Sequence, residues 1–169
     1  MAKDIKIEVP IPGTSEKAIF DSAELYVENE GMMTEHMNRL PGQICYWNAL
    51  TTKYKESLLE LQNAFTIWMA QKKHAVDGGA GKFKSETAKE EAVMVQFTQE
   101  YMEWRKKVSD ITYYVNVLSD SICKALMAKK DLIVSMGANL RKEMDTGITV
   151  GEGKANVKAV NSVLETKLN

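Results

Sequence analysis

The chain has 169 residues, 44% of them apolar, with 22 basic against 23 acidic side chains. That is enough for one domain with a core and too balanced for a polycation. Its two cysteines make no disulfide framework. No run approaches the ~18 apolar residues of a membrane span, and the opening Met-Ala-Lys-Asp-Ile-Lys-Ile-Glu lacks the apolar core of a signal peptide, which predicts a cytoplasmic protein.

Residues 1–13 set Ile5, Ile7, Val9 and Ile11 in alternation with Lys6, Glu8 and Pro10, a strand-like arm cut short by Pro10, Pro12 and Gly13. Two readings are open: a frayed terminus, or an arm that adds to a neighbouring subunit or lies along the helices. A first helix is predicted from Asp21, with Glu24 in capping-box position, to about Leu40, with an earlier start at Thr14 or Ser15 also open. Glu16, Asp21, Glu24, Glu28, Glu30 and Glu35 against Lys17 and Arg39 make this the acidic part of the chain. It reads as a solvated face or a surface for a basic partner.

Pro41 suits the first position of a second helix and Gly42 adds to the break before it. From there Ile44, Trp47, Thr51, Tyr54, Leu58, Leu61, Phe65 and Trp68 recur at three and four residues, an apolar stripe with one polar lapse that runs to about Val76. Asp77-Gly78-Gly79-Ala80-Gly81-Lys82-Phe83-Lys84 then permits reversal. Ser85 and Glu86 read as cap and first turn of a third helix, and no Pro or Gly interrupts the run from Ser85 to Met136. It carries Tyr101, Trp104, Val108, Ile111, Val115, Leu118, Ile122 and Ala125 in the same spacing. It either continues to about Met144 or bends near Ser109-Asp110. After Asp145, three glycines lead to Val157, Val160, Val163, Leu164 and Leu168, the pattern of a short amphipathic helix.

The expected fold is all-α: a long helical hairpin with coiled-coil-like seams plus a shorter N-terminal helix, forming an oligomer. The expected divisions are an extended arm over 1–13, a helical domain over 14–144, and a link with a short C-terminal helix over 145–169. Trp47, Tyr54, Leu58, Leu61, Phe65, Trp68, Tyr101, Trp104, Val108, Ile111, Val115, Leu118 and Ile122 are read as hairpin or subunit packing. Of the adjacent Tyr113 and Tyr114, at least one must leave the stripe.

No chemistry-bearing motif stands out. The loop Gly78-Gly79-Ala80-Gly81-Lys82 lacks the leading glycine of a phosphate loop and has Phe83 where Ser or Thr would hold magnesium. His36 and His74 have no Cys or carboxylate at metal-ligand spacing, and no Glu-x-x-His appears. The expectation is a non-enzymatic protein with no cofactor and no metal. Charge is informative only locally. Lys72, Lys73, Lys82 and Lys84 surround the hairpin tip against Asp77, Arg105-Lys106-Lys107 follow on the third helix, and Lys124, Lys129 and Lys130 form a third cluster. Repeated around an oligomer, such lysines could hold a phosphate backbone by counterion release.

In the third helix the residue order itself, from Val108-Ser109-Asp110-Ile111-Thr112-Tyr113-Tyr114-Val115 through Asn116-Val117-Leu118-Ser119-Asp120-Ser121-Ile122-Cys123-Lys124-Ala125-Leu126 to Lys129-Lys130 and Leu132-Ile133, resembles the UvsY-type recombination mediators of tailed phages. The likeness covers about residues 45 to 142 and has no catalytic signature. It implies a small helical protein of DNA recombination and repair that assembles into a ring, heptameric in the best-known form. Such a protein binds single-stranded DNA and helps a RecA-like phage recombinase load onto DNA covered by single-strand-binding protein, in an infected bacterial cell. Carried onto this chain, the DNA-binding residues would be Lys72, Lys73, Lys82 and Lys84. The family's Leu-Lys-Ala-Arg element is absent, its place reading Phe65-Thr66-Ile67-Trp68. The alternative reading is a coiled-coil structural or adaptor protein of a phage assembly that binds no DNA.

Overall fold

In a computed structural model, which describes residues 5–27, 30–78, 83 and 85–146 (side chains of 30 and 143–146 excepted), the chain is mostly α-helical with a small two-stranded sheet. Strands β1 (Lys6–Pro10) and β2 (Lys17–Asp21) lead through a 3₁₀ turn (Ser22–Leu25) to helix α1 (Glu30–Asp77). Helices α2 (Glu86–Gln96) and α3 (Thr98–Asn116) follow, then a π-helical stretch (Val117–Cys123) and α4 (Lys124–Thr146). No helix among the described residues is long and apolar enough to cross a membrane. The chain divides into two compact units, one of residues up to Thr51 with those from Asn116 onward, the other Thr52–Val115.

In the first unit the N-terminal arm finds its partner within the chain. β1 pairs antiparallel with β2, Val9 opposite Ala18 and Ile7 opposite Phe20. The alternation puts Val9, Ala18 and Phe20 on a buried face and leaves Ile19 exposed. Gly13 takes the positive φ of 81° that the turn requires. The backbone N–H of Ile5 donates to Ser22 Oγ at 2.8 Å and that of Ser22 to the Ile5 carbonyl at 2.9 Å, closing the open end of the hairpin. Phe20 meets Trp47 of α1 edge to face, ring centroids 5.8 Å apart. Leu25, Val27, Leu40, Leu50, Leu118, Ile122, Ala125, Leu126, Ile133 and Met136 are buried in the same unit. The polar lapse at Thr51 is satisfied in place: its buried hydroxyl donates to the Trp47 carbonyl at 2.7 Å.

Several sequence expectations are corrected here. The expected helix from Asp21 is preceded by a strand over Lys17–Asp21, and Asp21 caps a 3₁₀ turn instead, its carboxylate accepting from the Ala23 N–H at 2.9 Å. Pro41 makes no break: it lies inside α1, one helix covering both expected ones, with Leu40 and Trp47 buried on either side. Cys45 is exposed, and Cys123 is half-buried with Sγ 3.6 Å from Thr51 Oγ1. The expected tail helix over 157–168 lies outside the described residues.

The second unit is an antiparallel helical hairpin. Asp77 meets Lys89, Lys73 meets Glu90, Phe65 meets Tyr101 and Tyr54 meets Tyr114, in reverse order along the two arms. Ser85 caps α2, its hydroxyl accepting from the Ala88 N–H at 3.1 Å. The break in the second arm falls at Phe97, not at Ser109-Asp110. The Thr98 hydroxyl bonds back to the carbonyls of Met94 and Val95 at 2.7 and 2.9 Å, a pairing that bends helices. From Thr98 onward the helical run is unbroken to Thr146, winding wide over Val117–Cys123.

Candidate nucleic-acid interface

Two of the tip lysines, Lys72 and Lys73, are held by carboxylates. Lys72 Nζ lies 2.9 Å from Glu100 Oε2, 3.9 Å from the Phe97 ring centroid and 5.8 Å from that of Trp68. Trp68 Nε1 donates to the same carboxylate at 3.2 Å. Hydrogen bonds from Lys72 and then Trp68 hold the Glu100 carboxyl below its usual range. Lys73 bridges Glu90 at 2.5 Å and Glu86 at 3.4 Å, and the Glu90 bond raises its pKa. Lys89 joins Asp77 at 3.1 Å to Glu86 at 3.3 Å. The result is an alternating chain of charge, Asp77–Lys89–Glu86–Lys73–Glu90, beside the tip of the hairpin. Lys82 and Lys84 lie outside the described residues.

The second cluster differs. Arg105, Lys106 and Lys107 are all exposed on α3. Lys107 Nζ sits 5.3 Å from the Trp104 ring centroid. Arg105 and Lys106 take part in no ion pair among the described residues. They border a shallow depression with Gln99, Met102, Glu103 and Ser109, where Glu103 accepts from Gln99 at 3.4 Å. Between 105 and 113 three cations face Asp110 alone. In the third cluster Lys124 pairs with Asp120 at 2.6 Å and Lys129 is buried, so only Lys130 is exposed and unpaired among the described residues.

The stripe residues separate by unit. Trp47, Leu118 and Ile122 are buried in the first unit. In the second, Tyr54 and Val115 are buried, while Leu58, Leu61, Phe65, Trp68, Tyr101, Trp104, Val108 and Ile111 stay half-buried. Phe65 and Trp68 stack with centroids 5.9 Å apart, and Trp104 lies 6.1 and 6.4 Å from them. Tyr113 leaves the stripe and is 63% exposed, while Tyr114 turns in against Tyr54 at 5.4 Å.

One feature had no signal in the sequence. Lys129 is 1% exposed in the first unit; its ammonium donates to the Glu24 carbonyl and lies 2.8 Å from His36 Nδ1. Burial pushes its pKa down to about 8. Burial first, and then the Lys129 charge, holds the His36 imidazole below its ordinary value, and His36 Nε2 is buried without a partner. His36 and His74 are not brought together with other ligands: no group of three His, Cys, Asp or Glu suited to a metal occurs among the described residues.

No family model, no curated protein and no solved structure matches the chain.

Proposed function

We propose that the protein is a non-enzymatic, oligomeric recombination mediator. It binds single-stranded DNA through the phosphate backbone and promotes loading of a RecA-like recombinase onto DNA covered by single-strand-binding protein. The residue order from Val108 to Ile133, which resembles the UvsY-type mediators, points to this class. Arg105 and Lys106, exposed just before that stretch on α3 and in no ion pair among the described residues, are the structural observation that carries it. Cations without carboxylate partners exchange their counterions for phosphate at no cost in broken ion pairs, whereas Lys72 and Lys73 must first give up Glu100, Glu86 and Glu90. The DNA surface is therefore assigned to α3 in preference to Lys72 and Lys73. The direct test is the lag before a RecA-like recombinase begins DNA-dependent ATP hydrolysis on single strands covered by single-strand-binding protein. A mediator shortens that lag; an unchanged lag at saturating protein rejects the reading.

A second reading, a helical adaptor or structural protein that binds no DNA, is favoured by one observation. The second unit leaves Phe65, Trp68, Tyr101 and Trp104 half-buried, a surface that suits protein contacts as well as hairpin packing. An adaptor leaves the recombinase lag unaltered and fails to bind oligothymidine at low salt.

A further inference from the structure

We propose that Tyr113 is a base-stacking residue, set on α3 beside the cations that hold the phosphates; the inference rests on the single-stranded DNA reading above. A tyrosine ring on a helix at 63% exposure leaves apolar area in water that packing on the Tyr54 side would have covered. The ring is nonetheless held. Tyr113 meets Tyr114 edge to face, centroids 5.4 Å apart and planes at 69°, and Tyr114 is fixed in turn by Tyr54 at 5.4 Å. One face of Tyr113 is thereby kept open by a neighbour that is anchored in the hairpin.

The charges around it are mainly cationic, with Asp110 the one carboxylate on the stripe between Lys106 and Tyr113. Lys106 precedes Tyr113 by seven residues, two helical turns, so both lie on one stripe of α3 roughly 10 Å apart along the axis. Exposed Met102 extends the stripe in the same direction. Across the hairpin, Tyr54 is flanked by the exposed Lys53 and Lys55, which are in no ion pair among the described residues. Exposed cations on both arms and an exposed aromatic ring thus belong to one hairpin, the combination by which sequence-tolerant single-strand binders hold backbone and bases together. Phosphate contacts supply the salt-dependent part of affinity and the ring a part that salt leaves alone.

The experiment is equilibrium binding of the full chain to fluorescent oligothymidine and to an abasic oligomer of equal length, with mass in solution measured for each variant. Tyr113→Ala weakens oligothymidine binding about 5- to 100-fold without changing the salt slope. Tyr113→Phe stays within about 2-fold of the unaltered chain. On the abasic oligomer the Ala variant and the unaltered chain bind alike, because no base is present to stack. Equal oligothymidine affinity of Tyr113→Ala and the unaltered chain overturns the inference while leaving the DNA reading standing. So does a change of oligomer mass in Tyr113→Ala, which assigns the ring to subunit contact. Failure of the unaltered chain to bind either oligomer overturns the DNA reading itself and the inference with it.

Discussion

Lys129 Nζ lies 2.8 Å from His36 Nδ1 and donates to the Glu24 carbonyl, so one buried ammonium joins α4, α1 and the 3₁₀ turn inside the first unit. Keeping that charge out of water has a cost that pH can remove. In the unfolded chain Lys129 holds its proton to about pH 10.4, in the folded chain only to about 8. Between these values the unfolded state binds more protons, so stability rises with pH. The gain approaches about 3 kcal/mol by pH 10.5, at 1.36 kcal/mol per pKa unit. His36, also lowered, acts in the same sense at the acid end: below about pH 6.5 the unfolded imidazole takes a proton that the folded one resists, and stability falls. Glu24, Glu35 and Arg39 are the other charged groups acting on His36. Urea unfolding at pH 7 and pH 10, compared between the unaltered chain and Lys129→Met, isolates the lysine. The difference in stability between the two proteins should change by about 2–3 kcal/mol across that interval, and a constant difference would remove the effect.

The β-hairpin is tied to α1 through Phe20, 2% exposed and edge-on to Trp47. Phe20→Ala should lower stability by about 3–5 kcal/mol, the usual cost of emptying a buried phenylalanine site. Phe20→Leu should lose much less. Fluorescence of Trp47 shifting to the red in the Ala variant marks the loss of hairpin packing.

Pro41 is twelve residues into α1 and cannot donate to the carbonyl of Met37. Its replacement by Ala should raise stability by about 1–3 kcal/mol, less whatever packing Pro41 gives to the groove it lines with Leu40, Ile44 and Ile133. The midpoint of urea unfolding reports the sign.

Beside the hairpin tip the ion pairs are partly exposed, so their contribution is small and screened. Lys73→Ala should cost about 1 kcal/mol or less at low salt, and the loss should shrink toward zero near 1 M salt. Thermal melts at the two salt concentrations measure both.

Most of the helical content was legible because apolar spacing of three and four residues is a long-range pattern that short lapses do not erase. The reversal after Asp77 and the Ser85 cap were equally readable, since each rests on chemistry local to a few residues. What failed was local punctuation overruled by packing. Pro41-Gly42 reads as a break, yet burial of Leu40 and Trp47 on the same helix outweighs one missing hydrogen bond. Asp21 with Glu24 reads as a helix cap, which hid the Ala18-Ile19-Phe20 alternation that pairs with β1. The break at Phe97 has neither Gly nor Pro to announce it, although its backbone leaves the helical region at φ −119° and ψ 37°. At the candidate site, the lysines of the tip were visible as a cluster, but the neutralisation of Lys72 and Lys73 was not. Glu86, Glu90 and Glu100 reach them only when the second arm folds back, a relation between residues 13 to 28 positions apart. Lys129 gave no sign at all, because its partners come from the turn and α1, about a hundred residues away.

Binding of fluorescent oligothymidine across a salt series, for the unaltered chain, Arg105→Ala/Lys106→Ala and Lys72→Ala/Lys73→Ala, is the most direct test of the central claim. The unaltered chain should bind at low salt and weaken steeply as salt rises. Removing Arg105 and Lys106 should lower the log–log slope by about 1.4, at roughly 0.7 per phosphate contact on a single strand, while the tip variant keeps its slope. No binding at low salt, or a slope reduced only by the tip variant, would contradict the assignment of a DNA surface to α3.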